Sequence, residues 1–215
     1  MDLICNFILS DILSYFSEPD DIYGLGLISH RFHELLQDDR FWKQFYKNKY
    51  QTISLTNISY RSRYKKCLLI NRLIKKFNLQ SSLVETINIK ELILNCKYIK
   101  SIPSELDQLT ALRQLYLEHN QITSIPPELG RLTALKELYL RNNQIASIPQ
   151  ELGQLAALRQ LDLHGNQIAS IPSELGQLTA LQWLYLQNNQ IASIPPEIGR
   201  LTALQGLYLI ISHIN

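Results

Sequence analysis

A step of 23 residues recurs through the second half of this 215-residue chain and restricts its fold more than any other feature. Leu112, Leu135, Leu158, Leu181 and Leu204 fall in register, as do Asn120, Asn143, Asn166 and Asn189, and Pro103, Pro126, Pro149, Pro172 and Pro195. A unit this short cannot bury its own apolar face. Stacking on a neighbour of the same kind does so, and a chain built this way grows as a solenoid. All nine alanines and seven of the eight prolines lie after residue 100, because the repeat uses them once per unit; the first half is written in another style.

One unit, residues 112 to 134, reads LRQLYLEHNQITSIPPELGRLTA. In Leu115-Tyr116-Leu117 alternate side chains point to opposite faces, so the spacing predicts a short strand with the leucines inward and the tyrosine outward. Asn120 ends the strand, its amide able to bond backbone groups of the turn, and stacked copies form a ladder. Ile122, Ile125, Leu129 and Leu132 fill the interior. Pro126 stops the chain from extending the sheet, and Glu128-Leu129-Gly130 suits a short helical turn on the outer side. Strands stack at about 4.8 Å while outer elements need more room, so the stack curves with its strands on the concave side.

These residues resemble the leucine-rich repeat, in the 23-residue class with an Ile-Pro step, over residues 89 to 215. At the first unit Ile89, Leu92 and Leu94 are in frame, but Lys97 takes the asparagine position; in the last unit Ser212 takes it. The last unit is incomplete and no capping sequence follows, which predicts exposed final leucines, paired with something else or marking a truncated array.

With leucine, isoleucine and asparagine committed to structure, binding is sought in the outward strand positions, read as columns. The central column is Ile93, Tyr116, Tyr139, Asp162, Tyr185 and Tyr208. Two positions earlier it is Glu91, Gln114, Glu137, Gln160, Trp183 and Gly206, and two later Asn95, Glu118, Arg141, His164, Gln187 and Ile210. Exposed tyrosine and tryptophan on a rigid sheet are the material of binding hot spots. Stacking of the tyrosines on one another as repeated consensus residues is the alternative. Arg141, Asp162, His164 and Trp183 break the consensus and mark specificity. With Tyr116, Tyr139 and Tyr185 they make the expected target surface. His119 and His213 lie in other columns than His164, so no metal site is expected.

The first forty residues carry helical periodicity. Ile8, Leu9, Ile12, Leu13 and Phe16 form one stripe, with Asn6 able to cap its start. After Pro19 and Asp20 a second stripe runs through Ile22, Leu25, Ile28, Phe32 and Leu35 or Leu36, and Asp38-Asp39 lead into Phe41, Trp42 and Phe45. Three helices this small do not bury all those faces alone, so a partner is implied. Residues 4 to 50 resemble an F-box, the module that binds the adaptor Skp1 of cullin-RING ubiquitin ligases. The correspondence rests on Ile12-Leu13 with Tyr15-Phe16, on Asp21-Ile22, on Ile28 followed by Phe32, and on Trp42-Lys43. The usual Leu-Pro opening is replaced by Ile4-Cys5, which loses the proline that pre-forms the helix start. The resemblance implies Skp1 contact through Ile8, Leu9, Ile12, Leu13, Ile28, Phe32 and Trp42. A three-helix cap over the first edge of the solenoid would need the same stripes, but leaves the number of large apolar residues unexplained.

Charge follows the same division. Residues 1 to 39 hold eight acids and one base, residues 40 to 85 eleven bases and one acid, and the remainder nine bases and ten acids, so the net +2 is the sum of unlike segments. Residues 51 to 88 read as a helical junction and degenerate repeat cap, with Asn71 through Phe77 at helical spacing and Leu79 and Leu83 one period before Ile102 and Leu106. A nucleic-acid or membrane-surface role for residues 40 to 76 is the weakest alternative, since the aromatic residues there sit at core spacing. Cys5, Cys67 and Cys96 fit neither a disulfide framework nor a zinc site and suit a reducing compartment. Asp2 and Asp11 bracket the first apolar stretch, against a signal peptide, and no run reaches the length of a membrane span.

The expectation is an α/β protein: an F-box-like helical domain (1–50), the junction (51–88) and a leucine-rich-repeat solenoid (89–215) with a parallel sheet on its concave face. No glycine-rich phosphate loop and no nucleophile paired with histidine is found, so neither catalysis nor a cofactor is expected. The resemblance implies a substrate receptor, with Skp1 and an unknown target protein as partners and no nucleic acid or membrane. It would act in the cytoplasm or nucleus of a eukaryotic cell, a host cell if the source is bacterial or viral.

Overall fold

The computed structural model describes residues 88–210, together with Leu73, Ile74, Lys76 and Phe77. The chain divides into two units, Met1–Arg72 and Leu73–Asn215, and all described residues belong to the second. The two amino-terminal helix stripes, with Trp42 and most of the junction, lie outside the described residues. Leu73, Ile74 and Lys76 are helical, the Phe77 N–H bonds the Leu73 carbonyl at 3.0 Å, and Leu73 is buried.

The repeats form a six-stranded parallel sheet whose strands follow chain order: β1 Glu91–Ile93, β2 Gln114–Tyr116, β3 Glu137–Tyr139, β4 Gln160–Asp162, β5 Trp183–Tyr185 and β6 Gly206–Tyr208. Each strand begins one residue before the leucine of the Leu-x-Leu step. Pairing runs at the sequence period, with Leu92, Leu115, Leu138, Leu161, Leu184 and Leu207 aligned.

Between strands the chain crosses through five 3-10 turns: η1 Ser104–Gln108, η2 Pro127–Arg131, η3 Gln150–Gln154, η4 Ser173–Gln177 and η5 Pro196–Arg200. Each follows an extended proline, as at Pro126 with φ −70° and ψ 140°, so the proline directs the chain out of the sheet before the turn closes. The core fills the space between sheet and turns. Leu112, Leu115, Ile122, Leu132 and their period mates through Leu181 and Leu184 are fully buried.

Two backbone requirements set the stack. At Gly130, Gly153 and Gly176 an added Cβ would meet the backbone carbonyl of Glu151, Glu174 and Glu197 in the next turn, so glycine lets the turns approach closely. Asp107 holds that position in η1, and its carboxylate pairs across the junction with Arg131 at 3.0 Å. The residue before each ladder position is left-handed: Cys96, His119, Asn142, Gly165 and Asn188 have φ between 53° and 68°. Only asparagine and glycine suit that conformation well, so Cys96 and His119 are held there by the repeats around them.

The asparagine ladder forms as the period predicts. Asn143 donates through Nδ2 to the carbonyls of Leu117 at 2.9 Å and Leu140 at 3.0 Å, and its Oδ1 accepts the Ile122 N–H at 3.0 Å. Asn120 and Asn166 repeat this pattern one unit away in each direction. Each amide thus ties three backbone groups that the tight turn would otherwise leave unpaired in the interior.

The last described unit differs from those before it. Leu207 is 38% exposed where Leu115, Leu138, Leu161 and Leu184 are at 0%, Ile210 is 59% exposed, and a Cβ at Gly199 would meet nothing within 4 Å.

Candidate functional site

The strand register places the three outward columns side by side on one sheet face. Tyr116, Tyr139, Asp162, Tyr185 and Tyr208 are successive partners in the central column, flanked by Glu137, Gln160 and Trp183 on one side. On the other side the ladder continues beyond the strands, the His119 N–H bonding the Arg141 carbonyl at 3.0 Å and the Asn142 N–H the His164 carbonyl at 2.9 Å. All seven residues expected at the target surface lie on this face.

They do not form one continuous aromatic strip. Tyr116 and Tyr139 stack with centroids 4.8 Å apart and planes 5° from parallel; Tyr185 and Tyr208 stack at 4.8 Å and 4°. Trp183 joins the second group, its ring 6.4 Å from Tyr208. It also lies across Gly206, where an added Cβ would come within 2.6 Å of the indole. Stacking therefore accounts for part of each ring's surface. The sequence left stacking and binding open, and the geometry provides the first while leaving the outer edges and some faces uncovered.

Glu137 organises the first group. Its Oε2 accepts from Gln114 Nε2 at 3.0 Å and from the Tyr139 hydroxyl at 3.1 Å. Burial and that hydrogen bond push the Tyr139 hydroxyl well above the ordinary phenol range, and burial with the nearby Glu137 raises Tyr116. Both stay protonated donors at neutral pH. Asn95 and Glu118 add a second polar clasp, Asn95 Nδ2 donating to Glu118 Oε2 at 2.9 Å. Glu137, Glu118 and Tyr208 share this face with those seven residues, although all three follow the column pattern and carry no consensus break.

Asp162 separates the two aromatic groups. It is half-buried, its Oδ1 accepts the His164 N–H at 3.0 Å, and burial raises its carboxyl above the ordinary value, opposed by that hydrogen bond and by the charges of His164 and Arg141. Arg141 is exposed. The His164 ring lies 3.4 Å from Asn188 Nδ2 through Nε2. Among the described residues no group of histidine, cysteine, aspartate or glutamate side chains is arranged to hold a metal ion, and no helix is long and apolar enough to cross a membrane. The arrangement offers flat aromatic surface, fixed acceptors and hydroxyl donors, the equipment of a recognition surface.

Comparison with known proteins agrees with this geometry. Residues 127–214 match the family model described as leucine-rich repeat region, residues 87–145 match leucine rich repeat, and residues 6–48 match F-box-like. The last match encloses Ile8, Leu9, Ile12, Leu13, Ile28, Phe32 and Trp42, all outside the described residues. No curated protein matches the chain. Among solved structures, a leucine-rich-repeat protein of Leptospira interrogans is 32% identical with a TM-score of 0.56, covering 60% of this chain and 33% of its own. The ectodomain of the Arabidopsis thaliana receptor kinase GASSHO1/SCHENGEN3, solved with Casparian strip integrity factor 2, is 38% identical with a TM-score of 0.55, covering 61% of this chain and 16% of its own. The chain thus spans a third or less of the length of these relatives, and the likeness lies in the repeats.

Proposed function

Because the chain belongs to the F-box/leucine-rich-repeat proteins, we propose that it is the substrate-recognition subunit of a Skp1-cullin-F-box ubiquitin ligase. The observation that carries this reading is the order of matches along one chain, an F-box-like stretch at 6–48 followed by repeats through 214. In this role Ile8, Leu9, Ile12, Leu13, Ile28, Phe32 and Trp42 dock on Skp1, and Tyr116, Tyr139, Arg141, Asp162, His164, Trp183 and Tyr185 engage the target. The protein performs no chemistry itself. It contributes proximity, holding a lysine of the target near a ubiquitin-loaded enzyme of the complex and turning an encounter between two molecules into a reaction within one assembly. The place of action is the cytoplasm or nucleus of a eukaryotic cell. The leucine-rich-repeat ectodomain solved in complex with Casparian strip integrity factor 2 supports a binding use for repeats of this kind.

The test is binding of the full chain to purified Skp1 at micromolar concentration. Wild type is expected to bind, and Ile12→Asp with Leu13→Asp to abolish binding while the unfolding transition of the repeats stays in place. Absence of wild-type binding refutes the ligase reading and leaves a repeat scaffold that binds protein without a ligase.

A further inference from the structure

The central column has a gap one ring wide. Stacked tyrosines on neighbouring strands lie 4.8 Å apart. Tyr139 and Tyr185 flank Asp162 on either side, so about two strand spacings, roughly 9–10 Å, separate them. A flat group needs about 3.5–4 Å to each neighbour, so one fits between the rings and two do not. Tyr116 already covers one face of Tyr139, and Tyr208 one face of Tyr185. The remaining face of each looks into the gap. Asp162 forms the floor, with Oδ1 held by the His164 N–H. Its other oxygen takes part in no ion pair with Arg141: the ion pair among the described residues is Arg131 with Asp107.

The chemistry of the walls selects the occupant. Aromatic faces carry the negative side of the ring quadrupole and attract cations. The floor is a carboxylate. Across the three outward columns stand Glu91, Glu118, Glu137 and Asp162, against Arg141 as the sole arginine or lysine. A neutral ring would fill the gap but give the carboxylate no directly bonded counter-charge. An ammonium would satisfy the carboxylate but is compact and strongly hydrated, and makes poor use of two parallel faces. A guanidinium is flat, charged, weakly hydrated and presents its donors in one plane. We propose that the gap between Tyr139 and Tyr185 is a subsite for an arginine side chain of the bound protein, stacked between the two rings with its edge donating to Asp162. This rests on the reading of the sheet face as the target surface.

The probe is a displayed library of random peptides selected on the immobilised full chain, with a selected peptide then synthesised and its affinity measured by titration. Arginine is expected to dominate one position, and replacing it with alanine to weaken binding at least tenfold and with lysine at least threefold. Asp162→Asn should cost at least fivefold. Asp162→Tyr should abolish binding without lowering the urea midpoint below wild type, because it restores the residue found at this register on four of the other five strands. Peptides without an arginine preference, or binding Asp162→Tyr as well as wild type, overturn the subsite. If Trp183→Ala or Tyr116→Ala still weakens those peptides, the sheet face survives as the target surface. If no face variant affects them, or no peptide is selected, both ideas fall together.

Discussion

Gly153→Ala and Gly199→Ala make the same chemical change at the same place in the repeat, and the structure assigns them opposite signs. At Gly153 the new methyl meets the Glu174 carbonyl oxygen and lies 2.9 Å from its carbon and 3.1 Å from the Glu174 Cβ. Carbon atoms settle at about 3.5–4 Å, so η3 and η4 must separate by roughly half an ångström or more. That movement loosens Leu152, Leu155 and Leu175, all at 0% exposure, and overpacking of this kind costs about 1–3 kcal/mol. Asp107 holds the equivalent position in η1, so the column accepts a side chain where its junction is built for one, which keeps the expected cost within that range. At Gly199 nothing lies within 4 Å and the backbone is not left-handed, so alanine reduces only the freedom of the unfolded chain and stabilises by about 0.4–1 kcal/mol. The two variants should therefore differ by about 1.4–4 kcal/mol. With a urea slope of about 1–3 kcal/mol/M, that is a midpoint difference on the order of 1 M, readable by circular dichroism. Midpoints that coincide, or a lower one for Gly199→Ala, would refute the close-approach account of the glycine column.

Asn143→Ala removes the partner of the Leu117 and Leu140 carbonyls and the Ile122 N–H, and leaving buried backbone groups unpaired should cost about 3 kcal/mol in urea unfolding; a loss under 1 kcal/mol would mean that water replaces the amide. Asp162 gives a pH signature. Burial raises its folded pKa above the ordinary 3.8, so between those two values the folded state holds more protons than the unfolded one and stability falls as pH rises. Asp162→Asn should remove that component of the fall when urea midpoints are compared from pH 3.5 to 7; identical profiles for the two proteins would contradict it.

The features legible in the sequence are those the period repeats. Leu115 and Leu138 gave the strands, Asn120 and Asn143 the ladder, and Pro126 with Glu128-Leu129-Gly130 the outer turn, because each is a local preference reinforced in every unit. The left-handed backbone at His119 was not legible, since histidine carries no signal for it and the conformation comes from the neighbouring repeats. Pairing of the tyrosines was legible only as an alternative. Each ring's choice of partner depends on what stands one strand away, and Asp162 decides it for Tyr139 and Tyr185 alike. The role of Glu137 is not legible for a similar reason, because it arises from Gln114 and Tyr139 meeting it in space. For Ile12, Leu13 and Trp42 the reading rests on helical stripes and the F-box-like match.

The ladder has a consequence for how such a chain can change length. Each asparagine reaches partners 3 and 26 residues before it and a third 21 residues before it. Inserting or deleting a whole unit returns every amide to an equivalent partner. A single-residue insertion puts the junction it falls in out of phase, because the amide and its carbonyl no longer meet. Duplication in steps of one unit is therefore close to neutral for folding. It lengthens or shortens the sheet face while each strand keeps its own three outward residues, so the reach of the surface and its specificity can vary independently.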